Sequence, residues 1–343
     1  MLVSLMLLFS LISTPVATPV AVSASPEWIQ PLGSGAAVRP LIQDGVVYIA
    51  ANDGVVTAFD TVDGAIKWQV VPGETAGGEM VLDEDRLLLA GANGMFIVLN
   101  PDDGQTIASS VLGGSSLTKP LIYEDMLIVA DQQGLVSFLD RETFAVESQL
   151  VLESGVRGYG AIVEESVVFS TAGGMLTSID IETRELNWQT VLSAAGSRPI
   201  VLADQDIFLS TGDGLVARYS GDDGSLVWQN VLNSGSAIDH VTTPHGILVT
   251  SSGGGIESID TETGEANWFD VLPGNAVFAT EECTGQCVIV AGGDLLTTIS
   301  PADGALAAFS VAPAGISRIA ADDDVVIAVT GTGDVMLWRL SGD

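Results

Sequence analysis

Positive charge is what this chain has least of. Eleven Lys and Arg stand against 44 Asp and Glu in 343 residues, a formal net charge of −33, and only two of the eleven are Lys. So few cations cannot neutralise a run of phosphates, which excludes a general nucleic-acid binder. The acids instead read as the solvated surface of an exported protein, including one living in high salt. Histidine is almost as rare. A Ser-His-Asp arrangement would have to use His240 or His245, and neither lies near a Gly-x-Ser-x-Gly turn between a strand and a helix. His245-Gly246 occupies a turn and reads as an exposed turn histidine. Cysteine is limited to Cys283 and Cys287, flanking Thr-Gly-Gln with no His or third Cys nearby, which makes a zinc site a poor reading. In an exported chain a local disulfide is the better one.

Helical periodicity is missing too. After the N-terminus no window sustains an apolar stripe at i, i+3, i+4 and i+7, and the apolar residues come in runs of four to six bounded by Gly and Asp. Residues 2–12 are apolar but too short to span a bilayer comfortably, and Val22-Ser23-Ala24 resembles a signal-peptidase site. Residues 1–24 are therefore expected to be a signal peptide or an N-terminal membrane anchor. No Cys lies there, so lipid attachment to an N-terminal cysteine is excluded. Residues 25–343 are expected to form one domain, extracytoplasmic (secreted, periplasmic or cell-surface).

What the chain has in abundance is a repeat. Asp44 to Gln69 reads as three short strands joined by a tight Asp53-Gly54 turn and a longer turn from Asp60 to Gly64, with Trp68 on the last strand. Forty residues on, the pattern returns. Asp60 is followed by Asn100, Asp140, Asp180, Ser220, Asp260 and Ser300; Gly64 by Gly104, Gly224, Gly264 and Gly304; Trp68 by Trp188, Trp228 and Trp268. A period held over nearly the whole chain signals a repeat architecture. A fourth apolar segment precedes each unit, as in Arg39-Pro40-Leu41-Ile42. Four short strands per unit make the blade of a β-propeller, with that segment innermost and the Trp strand outermost.

Counting turns gives an all-β fold, an eight-bladed propeller of four-stranded antiparallel blades. The last unit has no Trp strand of its own, whereas Trp28 lies forty residues before Trp68. The N-terminal strand is therefore expected to join the C-terminal blade and close the ring, removing an exposed sheet edge.

The Asp-x-x-x-Gly-x-x-x-Trp ending, best seen in Asp60/Gly64/Trp68 and Asp260/Gly264/Trp268, resembles the pyrroloquinoline-quinone (PQQ) propeller repeat. It covers essentially everything after residue 26. The resemblance implies one of two branches. In the quinoprotein dehydrogenases the propeller holds PQQ with Ca²⁺ over the channel. In the non-catalytic branch, to which the outer-membrane assembly propellers of the BamB type belong, an eight-bladed scaffold binds another protein. Length and simple blades resemble the second branch. The first implies adjacent cysteines against the quinone, but Cys283 and Cys287 are not adjacent, and no insertion is long enough to cap the channel. Acidic turns such as Pro101-Asp102-Asp103-Gly104 lack the alternating oxygens of a calcium loop and read as hairpin turns.

Charge placed by repeat phase suggests two unlike faces. Turn acids such as Asp44, Asp83-Glu84-Asp85, Asp63 and Asp222-Asp223 fall on one face. Arg39, Lys119, Arg157, Arg198 and Arg318, with His240 in similar phase, fall at the entry to the inner strands on the opposite face, around the channel mouth. They read either as a cationic ring for an anionic ligand or acidic peptide, or as pairs with acids such as Glu79 and Asp239 that hold blades together. Trp28, Trp68, Trp188, Trp228 and Trp268 keep strict phase and read as structural; a sugar-binding role ranks last. The expectation is a monomeric, non-catalytic scaffold without cofactor or metal, binding a protein or peptide on its rim, an accessory factor in envelope protein assembly. Contact with a membrane is expected only through the N-terminal segment. The alternative is a small PQQ-dependent dehydrogenase with Ca²⁺.

Overall fold

The computed structural model describes residues 25–340 except 116, 197–199, 202–204, 234, 273–276, 284–286, 293–294, 312–314 and 323. The first 24 residues, with the signal or anchor expected there, lie outside the described residues, as does Arg198.

The unit is legible in the first blade. Strands Leu41–Gln43, Val46–Ala50, Val56–Asp60 and Ile66–Val70 pair in sequence as an antiparallel meander. Short apolar runs form its two middle strands, buried along most of their length because both faces pack on neighbouring blades. Turn chemistry sets the bends. Asp44 and Gly45 both take positive φ, 52° and 76°, the geometry of a two-residue hairpin that follows strand twist. At the outer turn, Asp60 Oδ1 accepts the Val62 N–H at 2.8 Å and Asp63 Oδ1 accepts the Ala65 N–H at 2.9 Å. Acid is thus consumed in making turns.

Eight four-stranded sheets are present. Seven are made of strands consecutive in the chain, spanning 41–70, 81–111, 121–151, 156–191, 200–231, 237–271 and 277–311. The remaining sheet is composite: Ile316–Asp322, Val325–Thr330 and Asp334–Arg339 are completed by Trp28–Pro31, with Trp28 opposite Leu337. Counted as units continuous in the chain, the blades number seven, not eight. The last sheet has its outer strand only by borrowing it from the N-terminus. Its inner strand, Ile316–Asp322, touches Leu41–Gln43 of the first blade, and Val325, Ile327 and Val329 share a core with Val47, Ile49 and Phe59. The ring is closed.

Five of the junctions between sheets are fastened by a tryptophan on the outer strand. The indole Nε1 of Trp28, Trp68, Trp188, Trp228 and Trp268 donates to the carbonyl of Thr61, Pro101, Gly221, Thr261 and Pro301, always 33 residues ahead on the next blade, at 2.7 to 3.2 Å. The ring lies flat on that blade's turn glycine: a Cβ on Gly104 would come within 2.6 Å of the Trp68 ring. Structure thus assigns these tryptophans to packing. They join blades.

Antiparallel order places the inner-strand hairpin turn and the outer-strand turn of each blade at one end, called the hairpin face below. The remaining turns and the links between blades lie at the other end, the mouth face, where the inner strands begin.

Candidate functional site at the channel mouth

Links before the inner strands bring residues from five sheets together around the channel. A cavity of about 320 Å³ is lined by Arg39 of the first blade, Gly77-Gly78-Glu79 before the second, Tyr159 of the fourth, Ile238 and Asp239 of the sixth, and Ser317 and Arg318 of the composite sheet. Its side chains cross the ring. Arg39 Nη2 contacts Asp239 Oδ2 at 2.8 Å, and Arg39 Nε lies 3.4 Å from Glu79 Oε1. Lys119 Nζ is 3.6 Å from Glu79 Oε2, and the Tyr159 hydroxyl donates to Glu79 Oε1. Glu79 is 9% exposed, so a single carboxylate buried at the rim gathers groups from the first, third and fourth blades. Burying charged groups in a poorly solvated place is tolerated where each has partners.

The expected residues are treated unequally. Arg39 and Lys119 are in these pairs, so the pairing with Glu79 and Asp239 occurs for Arg39. Arg318 points to backbone instead, donating to the Ser317 carbonyl at 2.7 Å and the Ala37 carbonyl at 3.2 Å. Arg157 is exposed and has no ion-pair partner among the described residues. His240 is wholly buried, edge-on to the Phe208 ring at 5.6 Å, and presents no surface to the mouth. His245 is exposed in its turn. Cys283 and Cys287 stand opposite each other as backbone partners at a hairpin end; their side chains lie outside the described residues.

Sequence phase overstated how strongly cations gather at the mouth. Arg86, Arg141, Arg184, Arg218 and Arg339 lie on the hairpin face and tie blade to blade. Asp83, 3% exposed, receives both Arg86 and Arg141. Arg218 Nε meets Asp206 Oδ2 at 2.7 Å while its Nη1 donates to the Thr261 carbonyl, the acceptor also used by Trp228. Arg339 bridges Glu27 and Asp324 and reaches the Thr61 carbonyl. The usable signal was phase: these acceptors sit at the position after the turn Asp. Around them the field is strongly negative. Desolvation, then Glu124, Glu165, Asp180 and Glu182, raises the Tyr123 hydroxyl above its ordinary range.

The carboxylates at the mouth do not fit the calcium of the dehydrogenase branch. Calcium takes six to eight oxygens, yet Glu79 and Asp239 already face Arg39, and no group of three or more His, Cys, Asp or Glu converges among the described residues. Trp338, the one tryptophan out of the repeat phase, is wholly buried rather than offered to a ligand.

The repeat and the propeller fold have counterparts among known proteins. A family model of PQQ-type repeats, described as outer membrane protein assembly factor BamB, matches residues 11–77, 71–146 and 145–342. The chain belongs to this family. Among solved structures it is similar to BamB from Moraxella catarrhalis, with 18% identity and a TM-score of 0.73, covering 92% of this chain and 99% of that one. It is also similar to the computationally designed Ika8 protein (13% identity, TM-score 0.77, 94% and 99% covered) and to the C-terminal WD40 domain of Sif2 (10%, 0.76, 92% and 99%). At these identities the likeness is one of fold. No curated protein matches the sequence.

Proposed function

We propose that this BamB-type propeller is an extracytoplasmic, non-catalytic scaffold that binds a protein partner and serves as an accessory factor in envelope protein assembly. One observation carries the non-catalytic part: Arg39, Glu79, Lys119, Tyr159 and Asp239 engage one another across the ring. General acid-base or nucleophilic work needs a group whose proton or lone pair is available to substrate. A rigid ring with short turns suits recognition instead, and family membership supports a role in outer-membrane assembly.

Photo-crosslinking in the source cells tests the reading. The crosslinker would replace exposed outer-strand valines, Val111, Val191 and Val231, or Ile238 at the mouth. The expected result is adducts with one envelope protein at one contiguous set of positions. Absence of adducts at every position, or recovery of the protein in the cytoplasmic fraction, would overturn it. Alcohol-dependent dye reduction after adding PQQ and Ca²⁺ would overturn the non-catalytic part.

A further inference from the structure

The entries to the inner strands differ in charge from what surrounds them, since the other turns and links of the mouth face carry acids such as Asp53, Glu74, Asp131, Glu153 and Asp213. On the hairpin face, acids make the turns and its arginines are paired with them, so the surplus is anionic. At the mouth, Arg39, Lys119, Arg157 and Arg318 outnumber Glu79 and Asp239 among the described residues of the inner-strand entries. Arg318 spends two N–H groups on carbonyls and meets no carboxylate among the described residues. A guanidinium satisfied by backbone dipoles keeps its full charge. Beside it the lining is Gly77, Gly78, Ala37, Val38 and Ile238, small or apolar surface that costs little to cover.

We propose that the mouth receives a carboxylate presented by the protein partner, with Arg318 as its principal counter-ion. This rests on the scaffold reading above and names the chemistry of its partner. A carboxylate seated here exchanges water for a charge-assisted hydrogen bond, the strong kind. The acidic underside repels such a ligand, and distance decides how strongly. Strands of five or six residues hold the two faces ~17–20 Å apart. The Debye length is about 8 Å at 0.15 M salt and about 30 Å at 0.01 M. At moderate salt the mouth is screened from the underside by two Debye lengths, so the local cations govern. At very low salt the whole net charge of −33 is felt and repels the ligand. At about 1 M salt the Debye length falls to about 3 Å and the local attraction is itself screened. Affinity therefore peaks at intermediate salt, whereas an ordinary cationic patch binds ever more tightly as salt is removed.

The test uses an acetylated, amidated tetraglutamate peptide and, separately, acetyl-triglycine with a free carboxylate, titrated by calorimetry into the protein. The expected result is binding of the glutamate peptide strongest near 0.15 M salt and at least about fivefold weaker near 0.01 M and 1 M. Arg318→Gln should weaken it about tenfold or more while the urea midpoint holds, and Lys67→Gln, on an outer strand, should change nothing. Binding of triglycine alone would support the carboxylate site and assign it to a chain terminus. Affinity rising steadily toward low salt, equal affinity in Arg318→Gln, or no heat from either probe would each overturn the proposal. A crosslinked partner without probe binding would remove the mouth and keep the scaffold. Probe binding without a crosslinked partner would do the reverse.

Discussion

Two kinds of junction hold the ring together, and they can be compared within one chain. At five junctions an indole lies on a turn glycine of the next blade. At the two junctions between those of Trp68 and Trp188, Ala108 and Ser148 stand where the tryptophan would be, and Phe144 and Arg184 stand where the glycine would be. Both members of the pair changed together. Phe144 fills the space from the other side, buried, tilted on Phe96 at 6.3 Å and capped by the Arg86 guanidinium at 5.4 Å. Arg184 reaches back over the Phe138 ring at 4.6 Å and toward Ser148 and Glu147 at 3.4 Å.

The backbone did not change with them. Phe144 and Arg184 keep positive φ, 59° and 63°, beside 71° at Gly64, and the N–H of all three donates to the turn's first carbonyl at 2.8 to 3.0 Å. Glycine at the other junctions is therefore demanded mainly by the indole that lies on it, and only secondarily by φ. Phe144 and Arg184 accept a left-handed conformation costing roughly 1–2 kcal/mol because their side chains fill the junction.

The comparison breaks most visibly if an indole is removed. Trp68→Ala should destabilise by about 3–5 kcal/mol in urea unfolding, since a buried ring and its bond to Pro101 go together. A change below about 1 kcal/mol would show that the indole is not a fastener. Next comes conversion of one junction type into the other. Ala108→Trp and Phe144→Gly should each cost about 2–3 kcal/mol, by overpacking and by cavity formation. Combined, they should recover about 2 kcal/mol of the summed loss, and strict additivity would refute the exchange. Smaller again is Gly104→Ala, about 1–3 kcal/mol from the clash with Trp68 and the positive φ together; in the Trp68→Ala background the part due to the indole should vanish, leaving the φ cost and the contact with Val70.

The smallest effect is set by pH. Asp140, Asp180 and Asp260 each accept bonds from the threonine three residues on, which hold their carboxyls below the ordinary range. A folded value below the unfolded one means stabilisation that is present above about pH 4. It is lost as pH falls through the folded value. The stability gap between the parent and Thr143→Val with Thr183→Val should therefore be widest at neutral pH and close in acid. A gap independent of pH would assign the effect to packing of the methyl that replaces each hydroxyl.

Much of this was legible in the sequence. A strict period gave blade limits, strand order and the borrowed Trp28 strand, because turn residues answer to local geometry. Two things were not legible. Phe144 and Arg184 look like lapses in the repeat until the opposite Ala108 and Ser148 are read with them, which requires knowing that residue i packs on i+36. Arg39 and Asp239 are two hundred residues apart, and only the curvature of the ring brings them within 2.8 Å. Phase places a charge on a face; partners across the channel are set by the radius.

The composite sheet also imposes an order in time. Trp28–Pro31 has no partner until Asp334–Arg339 exists, and the two are separated by more than three hundred residues. Every other outer strand pairs with its immediate predecessor as soon as both are made. Contacts this distant pay the full entropy of closing the chain and slow folding. Until that last pairing the outer edge of the final sheet stays open to a wrong strand, in the same molecule or another. The stitch that completes the circle is thus also the step at which a nascent ring is most exposed to mispairing.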